Sequence, residues 1–166
     1  MAKKLVIIPT FNEHENIEDI ILSVVKLKGS FELLIIDDSS PDGTAEIVKK
    51  LQEKYPNKVH LLERVGKSGL GTAYIEGFEY AINQHYDYIF EMDADFSHNP
   101  EDLIKLFNAC DKEGYDMAIG SRYIQGVNVV NWPIGRVLMS YFASIYVRVI
   151  TGMPIMDTTA GFKCYS

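Results

Sequence analysis

Short runs of apolar residues alternate along the chain with segments whose apolar positions recur at helical spacing. Leu5–Ile8 is a continuous apolar run stopped by Pro9 and predicts a first buried strand. Ile17, Ile20, Ile21, Val24 and Val25 then fall at i, i+3, i+4, i+7 and i+8, the stripe of an amphipathic helix. Asn12 and Glu15 stand where a cap and its partner belong, and Gly29 is expected to end that helix. Leu33–Ile36 predicts a second strand, followed by the turn chemistry of Ser39-Ser40-Pro41-Asp42-Gly43. A second helix carries Ile47, Val48, Leu51 and Tyr55 as far as Pro56, and Val59–Leu62 is a third strand. Gly66–Gly71 is a flexible turn into a helix reaching Ala81, and Tyr88–Met92 is a fourth strand. Asn99-Pro100 opens the next helix with Asp102 near its positive end, and Met117–Ile119 is a fifth strand. After Tyr123 come a polar loop with Gly126, then Trp132-Pro133, a long helix-like segment, and a strand-like piece from Gly161 to Tyr165.

Strands separated by helices of this length imply βαβ units, hence an α/β fold whose largely parallel sheet is covered on both faces. A length of 166 residues suits one domain, 1–166, and is short for two. The apolar fraction of 47% and charged fraction of 23% are those of an ordinary globular protein. A net charge of −7 argues against nucleic acid as a partner and against attachment through a polybasic patch. Cys110 and Cys164 fit no zinc or redox spacing and read as reduced, buried thiols of a cytosolic protein. The apolar run after Met1-Ala2-Lys3-Lys4 is too short for a signal-peptide core. Val137–Val147, the longest uncharged apolar stretch, is about half of the roughly 20 residues a membrane span needs.

In a parallel sheet, ligands bind beyond the carboxyl ends of the strands. Three candidate segments lie at such ends: Pro9–Glu13, Asp37-Asp38 and Asp93-Ala94-Asp95. An acidic pocket suits a diphosphate once a divalent cation bridges carboxylate and phosphate oxygens. Asp-x-Asp alone is a weak motif and is often a solvated turn, but here it follows an apolar strand, where carboxylates need a cation or strong donors. The Asp37-Asp38 pair either initiates the following turn or sends one member, Asp38, toward a base or ribose, while Asp42 reads as a turn residue. Two phosphate motifs fail. Gly66-Lys67-Ser68 lacks the upstream P-loop glycine, which is Leu61, and Gly69-Leu70-Gly71 has Tyr74 at the third glycine position of a dinucleotide fingerprint. His14, His60, His85 and His98 form no ligand spacing; His98, close to the acids, reads as turn-exposed.

Pro9-Thr10-Phe11-Asn12-Glu13, Asp37–Thr44, Gly69-Leu70-Gly71-Thr72-Ala73, Asp93-Ala94-Asp95 and Gly120-Ser121-Arg122-Tyr123 occur in the order and spacing of glycosyltransferase family 2. Within that family the chain resembles most the dolichol-phosphate mannosyltransferases and related polyprenyl-phosphate glycosyltransferases, over nearly its whole length. The resemblance implies a GT-A, Rossmann-like fold and an inverting hexosyltransferase with a nucleotide-sugar donor such as GDP-mannose. It also implies Mg2+ or Mn2+ and a polyprenyl-phosphate acceptor. Carried over by motif, Pro9, Phe11, Glu13, Ile36 and Asp38 hold the nucleoside, and the Ala94 backbone lies close to the nucleotide. Asp93 and Asp95 are the metal pair, and Arg122 meets phosphate. Arg136 and Ser140 meet the acceptor phosphate.

Phe11 stands where many relatives have tyrosine, and Ser97 where some have a metal-reaching glutamine, leaving Ser97 a weak metal candidate. Relatives of this type continue well past Gly161-Phe162-Lys163, so a C-terminally truncated domain is expected.

An ionised lipid phosphate needs no strong base, whereas a saccharide hydroxyl acceptor requires a carboxylate. Asp157 is the late acid open to positioning, base work or helix capping. A nucleotide-binding module without transferase activity is the reading from a different class. Val137–Val147, with Met139, Tyr141, Phe142, Ile145 and Tyr146, either meets a membrane or, as preferred here, packs on the sheet; Arg136 and Arg148 mark its ends. The expected location is cytoplasmic, with peripheral contact at the membrane face.

Overall fold

A computed structural model describes residues 2–66, 69–122 and 134–166, without the Arg136 side chain. The elements run β1 (Lys4–Thr10), α1 (Ile17–Val25), β2 (Phe31–Asp37), α2 (Thr44–Lys54), β3 (Val59–Glu63), α3 (Leu70–Asn83) and β4 (Tyr88–Glu91). A 3-10 turn at Pro100–Asp102 leads into α4 (Leu103–Glu113), followed by β5 (Met117–Ile119), α5 (Ile134–Thr151) and β6 (Lys163–Tyr165). The sheet order is β3-β2-β1-β4-β6-β5. The first four strands are parallel, and β6 runs antiparallel between β4 and β5.

β1 shows no polar alternation because both of its faces are covered. Val6 and Ile8, with Leu33, Ile35 and Phe90, join the core under α1, α2 and α4. Leu5 and Ile7, with Leu34 and Ile36, join the smaller core under α3. Each such side chain sealed from water contributes about 1.5–3 kcal/mol.

The structure corrects the sequence reading at α1 and α5 and settles the direction of β6, which that reading left open. Helix α1 begins at Ile17, one turn later than the Asn12 cap predicts. Asn12 instead takes φ 61°, and the Glu13 carbonyl accepts the Asn16 and Ile17 amides. β6 inserts antiparallel, which strand length and apolarity could not reveal. Finally, α5 does not pack on the sheet: Phe142 is 60% and Tyr146 67% exposed. Its small polar face is engaged, where Ser144 is buried and accepts the Thr158 amide at 3.3 Å, and Val137, Ala143, Ile145 and Val147 are half-buried. Among the described residues no helix is long and apolar enough to cross a membrane. Cys110 and Cys164 are buried free thiols, as expected.

Gly77 sets how closely α3 approaches the sheet. A Cβ there would meet Ile7 Cγ2 at 2.7 Å and Ile36 Cδ1 at 3.1 Å. Overpacking of this kind costs about 1–3 kcal/mol, and Ile7, stiff and sealed, has little room to yield. Gly77→Val is therefore expected to lower stability by about 2–3 kcal/mol in urea denaturation; an unchanged midpoint would mean that α3 lifts without cost.

Candidate active site

β1 has β2 on one side and β4 on the other, so the chain reverses its direction of travel across the sheet at β1. A crevice opens at such a point beyond the carboxyl ends of the strands. The loops after β1, β2 and β4 surround it. Each contains a non-glycine residue in the left-handed region: Asn12 (φ 61°), Ser39 (φ 54°) and Phe96 (φ 57°). Each such residue costs on the order of 1–2 kcal/mol and persists only where its surroundings dictate it.

The first two loops are laced together. Asn12 N donates to Ser40 Oγ and Glu13 N to Thr44 Oγ1, each at 3.0 Å. His14 N donates to Asp42 Oδ2 at 3.0 Å, while Asp42 Oδ1 accepts the Thr44 amide and hydroxyl. Asp42 is thus a turn residue, as its sequence context suggested. Asp37 is buried and accepts from Thr10 Oγ1 at 3.0 Å and from Ser40 N and Oγ at 2.8 and 2.6 Å. A cleft of about 360 Å³ lies alongside, lined by residues 12–16 and Asp42.

Asp38 departs from its expected place. Its carboxylate forms a buried ion pair with Arg64, whose guanidinium also reaches Thr72 Oγ1 at 2.7 Å and the Gly69 carbonyl at 3.1 Å. Asp38 therefore ties β2 to the start of α3 instead of standing open toward a ribose. Sequence reasoning missed Arg64. A single cation just after β3 gives no signal until its burial is known. Ile36 likewise reaches the crevice by no part of its side chain, which is sealed beneath α3.

Asp93 is half-buried and Asp95 exposed. Burial and then the Asp95 charge push the Asp93 pKa up to about 6, with Glu91 and Glu13 adding to the rise and Arg122 opposing it. Glu13 is raised too, by burial first and then by Asp95, against the pull of a hydrogen bond from Asn16. Glu91, by contrast, is buried and paired with Lys163 at 2.7 Å. Asp95 Oδ1 accepts the Ser97 amide at 2.9 Å, so Ser97 meets the acids through its backbone. Gly161 lies hard against Asp93, where a Cβ would fall 2.8 Å from Oδ2. The Ala94 methyl is buried, Pro9 and Phe11 are half-exposed at the β1 end, and Arg136 lies on α5 with its side chain outside the described residues.

Arg122 is held at the same edge. Its Nε and one terminal nitrogen each donate to Asp157 at 2.8 Å. That nitrogen also reaches Thr159 Oγ1 at 2.7 Å and Ser140 Oγ at 3.2 Å. The structure thus joins two residues that the sequence paired only by resemblance, Arg122 and Ser140. Burial would raise the Asp157 pKa, but the Arg122 side chain and backbone hold it below the usual carboxylate range. His98 is not turn-exposed. It is half-buried and stacks on Phe162 at 4.8 Å and 17°, and burial, then Arg122, lowers its pKa.

Among the described residues no group of three or more His, Cys, Asp or Glu forms a ready metal cage. The two Asp carboxylates nonetheless suit a hard divalent cation. Such ions take one or two carboxylates and complete their shell with substrate phosphates, and the raised Asp93 marks negative charge in want of compensation.

A mostly parallel sheet with an acidic crevice at its switch point is the plan of a GT-A domain. The chain belongs to a family of that fold, glycosyl transferase family 2, whose sequence pattern matches residues 5–165. It is 44% identical over 98% of its length to a polyprenol monophosphomannose synthase from Mycolicibacterium smegmatis, covering 61% of that protein. It is 42% identical to an undecaprenyl-phosphate mannosyltransferase from Micrococcus luteus (97% and 65% of the two chains). It is also 42% identical to a dolichol-phosphate mannosyltransferase from Pyrococcus furiosus (96% and 45%). The chain therefore spans about half to two thirds of these relatives. The fold agrees with a Pyrobaculum calidifontis mannosyltransferase solved with GDP-Man and Mn2+, at a TM-score of 0.68 and 17% identity over 98% of this chain and 44% of that one. It agrees also with glucosyl-3-phosphoglycerate synthase of Mycobacterium tuberculosis, solved with Mn2+, UDP and its product, at 0.72 and 17% over 99% and 57%.

Asp93 binds its proton more tightly in the folded protein than in the unfolded chain. Its contribution is therefore most favourable below about pH 4 and is lost as pH rises through 6. Asp93→Asn is expected to raise the unfolding midpoint of the cation-free protein at pH 7–8, by on the order of 1–3 kcal/mol, with the gain vanishing below about pH 4. Asp157→Ala strands Arg122 in a buried setting and is expected to cost about 3–5 kcal/mol in urea denaturation.

Proposed function

We propose that this chain is the catalytic domain of a transferase that moves mannose from GDP-mannose to a polyprenyl phosphate, with Mg2+ or Mn2+ held at Asp93 and Asp95. The observation that carries the reading is the division of charge at the crevice. Asp38 and Asp157 each have a buried arginine partner and Glu91 a half-buried lysine, while Asp93, Asp95 and Glu13 have no ion pair among the described residues and Asp93 is driven up in pKa. The names of the 42–44% identical relatives support the lipid-phosphate acceptor and the mannosyl group.

In this reading an acceptor phosphate oxygen forms the new bond at the anomeric carbon, with inversion, as the bond to the diphosphate breaks and the nucleoside diphosphate leaves. A bound cation supplies Lewis-acid stabilisation of the leaving diphosphate. Pro9, Phe11 and Glu13 line the nucleoside side of the crevice, where the Phe11 ring offers a stacking face. Asp38 acts there through Arg64, by fixing the β2 and α3 ends. Arg122, oriented by Asp157 and Thr159, presents fixed positive charge toward phosphate, and Ser140 extends that face toward the acceptor with Arg136 on the same helix. An acceptor phosphate is already ionised near neutral pH. Asp157 fits positioning better than base work, because Arg122 binds both of its oxygens. That favours a phosphate over a saccharide hydroxyl. The exposed apolar residues of α5, Met139, Phe142 and Tyr146 among them, support contact with the membrane surface that holds the acceptor.

Mass-spectrometric assay of mannosyl transfer tests this. Transfer to polyprenyl phosphate is expected to cease in EDTA and return with Mg2+ or Mn2+, and Asp93→Asn to lower kcat at least about 100-fold. Transfer to a saccharide alcohol but not to the lipid phosphate would overturn the acceptor assignment. Retained metal-dependent turnover in Asp93→Asn would remove Asp93 from its role. No co-sedimentation with anionic vesicles at low salt would refute the membrane contact.

A further inference from the structure

Nothing at the crevice so far accounts for Tyr74, the residue that spoils the dinucleotide fingerprint after Gly69-Leu70-Gly71. Helix α3 returns against the parallel strands, so its N-terminus lies at their carboxyl ends. Gly77 seats it on Ile7 and Ile36. Tyr74, one turn nearer the N-terminus on that same face, packs its ring on the core of Leu5, Ile7 and Ile36. Its hydroxyl comes within the electrostatic reach of Asp93.

That hydroxyl is buried and has no hydrogen-bond partner among the described residues. Burial, and then the Asp93 carboxylate through its charge and its hydrogen-bonding reach, push the phenol pKa upward, although the contact does not close into a full hydrogen bond. A buried hydroxyl left unsatisfied costs about 1–3 kcal/mol, which a phenylalanine would avoid while keeping the same ring packing. The oxygen is therefore a standing cost in the cation-free protein, placed beside one carboxylate. Gly161 crowds that same carboxylate through its backbone and offers no side chain to orient it.

We infer that Tyr74 is a positioning residue for Asp93, donating its phenolic hydrogen to one carboxylate oxygen when a divalent cation is bound and leaving the other oxygen for the cation. A donor on the rear of a ligating carboxylate fixes its orientation, and loss of such a partner typically weakens metal affinity about 10–100-fold. The inference rests on the reading of Asp93 as a cation ligand.

The test compares wild type with Tyr74→Phe by calorimetric titration of GDP, once with Mn2+ and once with EDTA. The ratio of the two dissociation constants reads how strongly cation and nucleotide support each other, independently of turnover. In wild type the ratio is expected to favour Mn2+ strongly. In Tyr74→Phe it is expected to shrink about tenfold or more, with the EDTA affinity little changed and the unfolding midpoint of the cation-free protein equal or higher. A Tyr74→Phe ratio within about twofold of wild type would overturn the role of Tyr74 alone. A wild-type affinity indifferent to Mn2+ would instead overturn the cation site and this inference with it.

Discussion

A carboxylate held half out of water among other carboxylates is the constraint around which this molecule is arranged. The first cost Asp93 bears is burial itself, and of its charged neighbours Asp95, Glu91 and Glu13 add to that cost while Arg122 opposes it. Only a rigid support keeps such a group in place, because an adaptable loop would turn it toward solvent. The support here is β4, hydrogen-bonded to β1 and β6, with the Met92 amide donating to the Ile7 carbonyl. Gly161 completes it, since any side chain there would collide with the carboxylate. The destabilisation is local and is offset by a core in which both faces of β1 and β2 are sealed.

Around that group the remaining charges are settled in pairs. Arg64 with Asp38 and Arg122 with Asp157 each join segments distant in the chain and are almost wholly buried. Buried pairs of this kind add little net stability, because desolvation consumes most of the attraction. Their value lies in geometry: the first fixes the end of β2 to the start of α3, and the second fixes residue 122 to the loop before β6. Glu91 is matched to Lys163, and among the described residues Asp93, Asp95 and Glu13 at the crevice have no ion pair. Each of the three loops at the edge contains a non-glycine residue with positive φ, as do Ser30 and His85 at the opposite ends of β2 and β4.

Helix α5 belongs to a different balance. Its serines bind the loop that orients Arg122, while its large apolar side chains stay exposed. The same helix thus touches the charged site through its serines and exposes large apolar residues such as Phe142 and Tyr146, the feature on which the proposed lipid-phosphate acceptor draws. The chain spans 61% and 65% of the lengths of two of its relatives.

The sequence by itself determined the alternation of strands and helices, the two-sided burial of β1 and β2, and the placement of three acidic segments at one sheet edge. Apolar runs and helical periodicity are local signals, and the handedness of βαβ crossovers leaves little choice about which ends share an edge. Asp42 was legible as a turn residue for the same reason, its partners lying within a few positions. Tertiary structure alone decided which acids were neutralised and which were not. Arg64 and Asp38 lie 26 residues apart, Arg122 and Asp157 35 apart, and Lys163 and Glu91 72 apart, and no local pattern encodes such meetings. The antiparallel insertion of β6, the stacking of His98 on Phe162 and the approach of Tyr74 to Asp93 were hidden likewise. Each depends on where a distant backbone passes, and a side chain's charge or hydrogen-bonding state is set by that neighbourhood, not by its place in the chain.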